Sequence, residues 1–344
     1  MAVRETTPEN RTDKLLEIQN LTVNYVTDEA TVYAVRDLNL TLGYGQTLGI
    51  VGETGAGKTT TAKSIMRILP DPPAKVAGGK ILFEGKDVLS LREQDMRKIR
   101  GNKISMIFQD PMTSLNPVLT VGEQIAEVVQ LHQEKNKKEA WDVACEMLEL
   151  VGIDRGRAKD YPHQFSGGMK QRVVIAIALA CNPELLIADE PTTALDVTIQ
   201  AQVLELMKQL QQKYRTSLIM ITHDLGIVAE ICNDVAIMYA GRIVEYGSKE
   251  QIFLRRAHPY TKGLFNCIPD IYEDENELIP IDGMMADPTV DFAGCAFCDR
   301  CAYASERCRT QRPAYHETEP GHLVACFQVE DAAADGKGDS SCEM

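Results

Sequence analysis

Hydrophobic and polar positions alternate at the start of the chain. LLEIQNLTVNY (15–25) and TVYAVRDLNLTL (31–42) carry the two-residue period of strands, and VTDEA between them reads as a turn. The period then changes. TLGIVG (47–52) is an unbroken apolar run ending in glycine, which predicts a buried strand, and KTTTAKSIMRIL (58–69) predicts a helix. PDPPAKVAGG (70–79) is dense in breakers and predicts a loop. KISMIFQD (103–110) predicts a second buried strand. Over 121–152 apolar residues recur at three- and four-residue spacing, which predicts helices in VGEQIAEVVQLH and KKEAWDVACEMLELVGI. SGGMKQRVVIAIALACN (166–182) predicts a helix opened by Ser-Gly-Gly. LLIADE (185–190) predicts a short strand ending in two carboxylates. TIQAQVLELMKQLQQKY (198–214) is an amphipathic helix, SLIMITHD (217–224) a buried strand, and DVAIMYAGRIVEYG (234–247) a hairpin turning at Ala-Gly.

Short apolar strands alternating with helices predict an α/β sheet covered on both faces. The helical stretch over about 116–165 reads as a subdomain inserted into it. From about 250 the periodicity weakens while proline, glycine and acidic residues rise, which predicts a boundary there.

Composition changes this picture in three places. At 344 residues, the chain has room for two domains or one large domain with an appendage. The N-terminal segment has no apolar core of a signal peptide, and no apolar run approaches the roughly 20 residues of a spanning helix. A cytosolic chain is expected, with any membrane part supplied by a partner. Charge is unevenly spread: from Asp270 onward, 17 acidic residues face 5 basic ones, carrying −12 of the net −14 and leaving −2 for the main body. A nearly neutral body with no basic stripe argues against a nucleic-acid partner. The ten cysteines also divide. Cys145, Cys181, Cys232 and Cys267 lie singly and read as small buried hydrophobes; five crowd into 295–326, and Cys342 lies near the terminus. A cytosolic compartment disfavours disulfides, so the crowded thiols read as metal ligands.

The strongest chemistry lies at GETGAGKT, which fits the phosphate-binding pattern G-x-x-x-x-G-K-[ST] between a strand and a helix. Gly52, Glu53, Thr54, Gly55, Ala56, Gly57, Lys58, Thr59 and Thr60 are its candidate residues. Glycine-rich backbone can turn its N–H groups onto phosphate oxygens at the positive end of the next helix. Lys58 can reach the β- and γ-phosphates, and Thr59 can ligate Mg²⁺. In LLIADE, Asp189 can hold the Mg²⁺ shell and Glu190 can orient an attacking water.

FSGGMKQR (165–172) decides the class. It resembles the LSGGQ signature of ATP-binding-cassette (ABC) ATPases, with Phe165 and Met169 departing from the pattern and Ser166, Gly167 and Gly168 keeping it. The resemblance implies a P-loop NTPase fold: a RecA-like α/β core, an antiparallel β subdomain, an inserted helical subdomain at about 116–169, and here a small cysteine-rich C-terminal extension. It implies ATP and Mg²⁺ as ligands and a head-to-tail dimer, each site pairing one chain's phosphate loop with the other's signature. Further residues match by position. Gln109 corresponds to the Q-loop glutamine, His223 to the switch histidine, Asp196 to the D-loop, and Tyr25 to the aromatic that stacks on adenine, with Tyr33 close by.

QDPMTSLNPVLTVGEQI, AHPYTKGLFNCIPD and the GCxFxxRC pattern at 294–301 are similar to ATPase subunits of bacterial oligopeptide and dipeptide permeases, over about residues 15–328. This implies two transmembrane permease subunits, a second ATPase subunit (a sister chain), an external solute-binding protein, and a peripheral place on the cytoplasmic face of the inner membrane. Nickel or another small solute stays open within the same family. A soluble ABC ATPase acting on nucleic acid or ribosomes is the alternative from another class; it would call for two cassettes, a long coiled-coil insertion or a basic face, and the sequence has none. The expected division is an ATPase domain over 12–250, an extension over 251–330 and a disordered tail over 331–344.

For the thiols, Cys295, Cys298 and Cys301 repeat the C-x₂-C spacing of iron–sulfur ligation, with zinc as the competing metal. The family resemblance implies a [4Fe–4S] cluster on Cys295, Cys301, Cys308 and Cys326, with Cys298 as an alternative ligand.

Overall fold

A computed structural model describes residues 14–193, 195–267 and 280–334. Residues 12–13, the 335–344 part of the tail expected to be disordered, and Cys342 lie outside them.

Two long strands open the chain, β1 (Lys14–Val26) and β2 (Thr31–Gly43), followed by β3 (Thr47–Val51) and α1 (Lys58–Met66). Next come β4 (Ala74–Phe83), β5 (Lys86–Asp87), α2 (Glu93–Ile99) and β6 (Ile104–Ile107). A helical run follows: α3 (Pro111–Ser114), α4 (Val121–His132), α5 (Lys137–Leu150) and α6 (Gly167–Leu179). The chain then alternates through β7 (Leu185–Asp189), α7 (Val197–Tyr214), β8 (Ser217–Thr222), α8 (Leu225–Ile231), β9 (Asp234–Tyr239) and β10 (Arg242–Ser248). It ends with α9 (Lys249–Leu254), α10 (Pro259–Asn266), α11 (Glu306–Thr310), β11 (His316–Glu319), β12 (His322–Val324) and α12 (Phe327–Ala334).

The main sheet has the order β11-β12-β10-β9-β3-β8-β7-β6. Its heart, β9-β3-β8-β7-β6, is parallel, and every residue of β3, β7 and β8 is buried. Burial on both faces explains why these strands read as unbroken apolar runs. A second, antiparallel sheet, β2-β1-β4-β5, covers one face, with Leu16, Ile18 and Phe83 packed into the same core as Ile50, Ile187 and Ile219. The other face carries the helices, where Val173, Val203 and Val228 share a core with Ile125 and Leu148 of the helical subdomain. Both helices of that subdomain begin at complete capping boxes, Thr120 with Glu123 and Asn136 with Glu139.

Three expectations need correction. The stretch 70–79 is a loop only as far as Pro73; from Ala74 it is strand β4, bent beside β1 at Gly78–Gly79. Gly79 sits at φ +92, with a Cβ position 2.5 Å from the Asn20 carbonyl oxygen, so the glycines read as breakers serve a strand irregularity. The helix after the phosphate loop stops at Met66, where Arg67 turns left-handed at φ 50. Cys267 is exposed, whereas Cys145, Cys181 and Cys232 are buried as expected.

β12 hydrogen-bonds along β10 and extends the main sheet, and a buried pair ties them: His322 Nε2 lies 2.8 Å from Glu245 Oε1. Burial alone would raise the Glu245 carboxyl, but His322 and the N–H groups of Ala257 and His258 hold it below the usual range.

Candidate active site

The Gly52–Thr60 loop leaves the C-terminal end of β3 and turns into α1. Its glycines are required by space. A Cβ at Gly52 would lie 2.1 Å from the Met238 carbonyl oxygen, and one at Gly57, at φ +101, 2.3 Å from that of Ala34. Gly57 is the N-cap of α1 and offers no side chain, so the first-turn N–H groups of the helix face outward unclaimed by a cap. Lys58 is buried and curls back across the loop, donating to the Gly52 carbonyl at 2.6 Å and to that of Glu53 at 3.0 Å. Burial lowers its pKa, opposed by the carboxylates of Glu190, Asp189 and Glu53. Ala56 is buried; Thr54 and Gly55 are exposed.

Asp189 ends β7 facing α1, and the Thr59 hydroxyl donates to its Oδ1 at 3.1 Å. Burial raises the Asp189 carboxyl, partly offset by the Thr59 hydrogen bond. A buried carboxylate beside a hydroxyl and phosphate loop is a donor set suited to a hard cation such as Mg²⁺.

Glu190 breaks the strand. It sits at φ 47, held by a backbone hydrogen bond to Ile221 of β8 at 2.8 Å. Three side chains converge on its carboxylate. Gln109 Nε2 donates to Oε2 at 2.8 Å, the Thr193 hydroxyl donates to Oε2 at 3.1 Å, and His223 Nδ1 lies 3.3 Å from Oε1. Gln109 follows β6 and His223 follows β8, so three neighbouring parallel strands deliver the group to one end of the sheet. A non-glycine residue held left-handed at such a point is backbone strain stored at a functional site.

Tyr25 lies against the loop's helix, its hydroxyl 3.3 Å from that of Thr60. Tyr33 is engaged elsewhere, with its N–H on Pro288 and Arg36 over its ring at 4.8 Å.

Ser166, Gly167 and Gly168 open α6 on a different surface. Ser166 and Gly167 are exposed, and the Ser166 hydroxyl caps its own helix by accepting from the Met169 N–H at 3.4 Å. Gly168 needs its missing side chain, since a Cβ there would lie 2.3 Å from Ile199 of α7. Asp196 caps α7 beside them, accepting from the Ile199 N–H at 3.1 Å, next to Val197, which is 84% exposed. The departures Phe165 and Met169 share one partner missed in the sequence: Arg157 lies 4.2 Å over the Phe165 ring and 3.5 Å from the Met169 sulfur.

The ABC transporter family matches residues 35–193, and the oligopeptide/dipeptide transporter C-terminal region matches 244–308. Among similar proteins, the dipeptide transport ATP-binding protein DppD of Bacillus subtilis is 50% identical, covering 93% of this chain and 96% of that one. The probable peptide ABC transporter ATP-binding protein y4tR of Sinorhizobium fredii is 49% identical over 92% and 96%. In structure, the dimeric post-hydrolysis form of the ATP-binding cassette MJ0796, bound to ADP and Pi, overlays with a TM-score of 0.62 at 28% identity, covering 68% of this chain and 98% of that one.

The chain belongs to the ATP-binding subunits of oligopeptide and dipeptide ABC transporters. It is a transporter ATPase. Family members of this kind work as ATPase pairs with membrane permease partners. Among the described residues, no helix is long and apolar enough to cross a membrane.

The expected iron–sulfur cluster, and zinc in its place, is corrected. Cys295, Cys298, Cys301, Cys308 and Cys326 do line one small cavity with Phe297 and Phe327. Yet among the described residues no group of three or more His, Cys, Asp or Glu side chains is arranged to hold a metal ion, and the relatives are described as transport ATP-binding proteins. All five are free thiols, and burial raises Cys295 to about 12 and pushes up Cys298, Cys301 and Cys326 as well. Spacing brought five sulfurs to one cavity without giving them a ligand geometry.

Two residues that touch the phosphate loop carried no local signal. Tyr260 of α10 accepts the Glu53 N–H on its hydroxyl at 3.0 Å, and Arg300 pairs with the Glu53 carboxylate at 2.7 Å. The arginine stands in the GCxFxxRC pattern, which pointed to the family but not to this contact.

Proposed function

We propose that this chain hydrolyses ATP at the cytoplasmic face of the inner membrane to drive import of dipeptides or oligopeptides through two transmembrane permease subunits. Support for the peptide solute comes from its relatives, which are dipeptide, oligopeptide or peptide transport ATP-binding proteins. An external solute-binding protein delivers the peptide. The ATPase domain spans 12–250 with its helical subdomain at 116–169, and 251–330 forms the extension.

In this reading Gly52 to Thr60 cradle the triphosphate and Tyr25 stacks on adenine. Thr59, Asp189 and Gln109 hold Mg²⁺, which when bound neutralises charge on the phosphate oxygens. Lys58 exchanges its two loop carbonyls for phosphate oxygens. Glu190 orients the attacking water and accepts its proton, with Gln109 and Thr193 fixing one carboxylate oxygen and His223 the other. His223 then faces the γ-phosphate. Ser166, Gly167, Gly168 and Asp196 complete the site of a second ATPase, a sister chain, in a head-to-tail dimer.

The observation that carries this reading is the Glu190 carboxylate held by Gln109, Thr193 and His223 beside the Asp189–Thr59 pair. The test is reconstitution of the chain with its permease partners in vesicles. ATP hydrolysis should rise with peptide-loaded binding protein, and labelled peptide should accumulate. Hydrolysis that responds to nickel and not to peptide would contradict the solute assignment.

A further inference from the structure

The extension does more than lengthen the sheet. Glu53, the second residue of the phosphate loop, is held at both its N–H and its carboxylate from past residue 250. Its N–H donates to Tyr260 Oη at 3.0 Å, and its carboxylate takes two hydrogen bonds from Arg300, at 2.7 Å and 3.1 Å. The remaining polar group, its carbonyl, accepts from Lys58. Arg300 is itself fixed. Its side chain is only 6% exposed, its Nε and Nη2 donate to the carbonyls of Asp282 and Ile281, and its guanidinium lies 5.9 Å from the rings of Tyr239 and Phe297. Met285, between Asp282 and Arg300, lies over the loop: its methyl is 2.9 Å from where a Cβ of Gly55 would stand. The chain continues along β2, where Pro288 accepts from Tyr33 and Val290 from Arg36.

A carboxylate in a loop that receives a triphosphate is an electrostatic liability. A bidentate guanidinium neutralises it and holds it in a fixed rotamer turned to the extension. We propose that Arg300 is a positioning residue for ATP binding: by clamping Glu53 from the cysteine-lined extension, it sets the conformation and charge of the phosphate loop and thereby the affinity for nucleotide. It touches no reacting atom, so it acts on binding and not on the chemical step. The proposal rests on the ATPase reading of the loop.

The full-length chain tests it by titration with a fluorescent ATP analogue and by ATPase kinetics. Arg300→Gln should weaken ATP binding about tenfold, the scale of one lost bidentate charge-assisted pair, and raise KM with kcat within about twofold. Arg300→Lys should recover part of the affinity. The deciding variant is Glu53→Gln/Arg300→Gln. If the single variant fails because it frees an anion beside the phosphates, removing that anion should bring affinity back to the level of Glu53→Gln alone. A double variant as weak as Arg300→Gln or weaker would overturn the proposal, as would an Arg300→Gln chain that binds ATP like the wild type. Thermal unfolding without nucleotide separates loop positioning from loss of fold: a collapse of Arg300→Gln stability that the double variant shares would assign the arginine a merely structural role. A wild-type chain that binds no ATP would instead remove the ATPase reading beneath it.

Discussion

His258 is the residue whose surroundings most clearly set a charge state. It is fully buried, its Nδ1 accepts the Tyr260 N–H at 3.1 Å, and burial lowers its pKa to about 4 despite the nearby Glu245 carboxylate. An unfolded histidine titrates near 6.5, so between about 4 and 6.5 the unfolded chain binds the extra proton. Stability is therefore full above about 6.5 and falls as pH drops toward 4, by roughly 2–3 kcal/mol in total. Unfolding measured across that window should be steeper for the wild type than for His258→Asn, whose amide can still accept from Tyr260. Equal slopes would show that His258 titrates normally. At this scale the sequence was legible where chemistry is local. Lys58, Thr59 and Asp189 were read from contiguous motifs. Arg300 and Glu53 stand far apart in the chain, and only folding makes them neighbours.

Elements were legible when burial enforced one period. β3, β7 and β8 are buried along their whole length and appeared as apolar runs. β4 was read as a loop because it carries exposed positions and Gly78–Gly79, and its pairing with β1 overrode local propensity. The helix α6 gives a sharp prediction, because its two glycines differ. A Cβ at Gly168 would meet Ile199 at 2.3 Å, whereas one at Gly167 has only Leu195 at 3.8 Å. Gly168→Ala should destabilise the chain by about 1–3 kcal/mol through overpacking. Gly167→Ala should leave unfolding unchanged within about 0.5 kcal/mol and, in the proposed head-to-tail dimer, impair ATP hydrolysis in the assembled complex. Equal losses of stability in both would contradict the packing described.

At the scale of the whole molecule, the chain past 250 adds β12 and β11 to the main sheet, a pairing with little signal in the sequence. The signal faded because β11 and β12 are only four and three residues long. The cysteines were misread at the same scale, since C-x₂-C spacing records proximity in sequence and not the directions of sulfurs. The extension should be integral to stability. His322→Ala removes one hydrogen-bond partner of the buried Glu245 carboxylate and leaves it the Ala257 and His258 N–H groups, a loss of about 1–3 kcal/mol. Denaturant unfolding of the full chain should register that loss, and a change under 1 kcal/mol would show that β12 docks only loosely. The central claim, however, concerns Glu190, on which Gln109, Thr193 and His223 converge. The direct measurement is ATP binding and turnover by Glu190→Gln in the assembled transporter. Binding within about threefold of wild type, with turnover lower by roughly 10²–10⁴-fold, is the predicted result. Substantial hydrolysis by that variant would contradict the account.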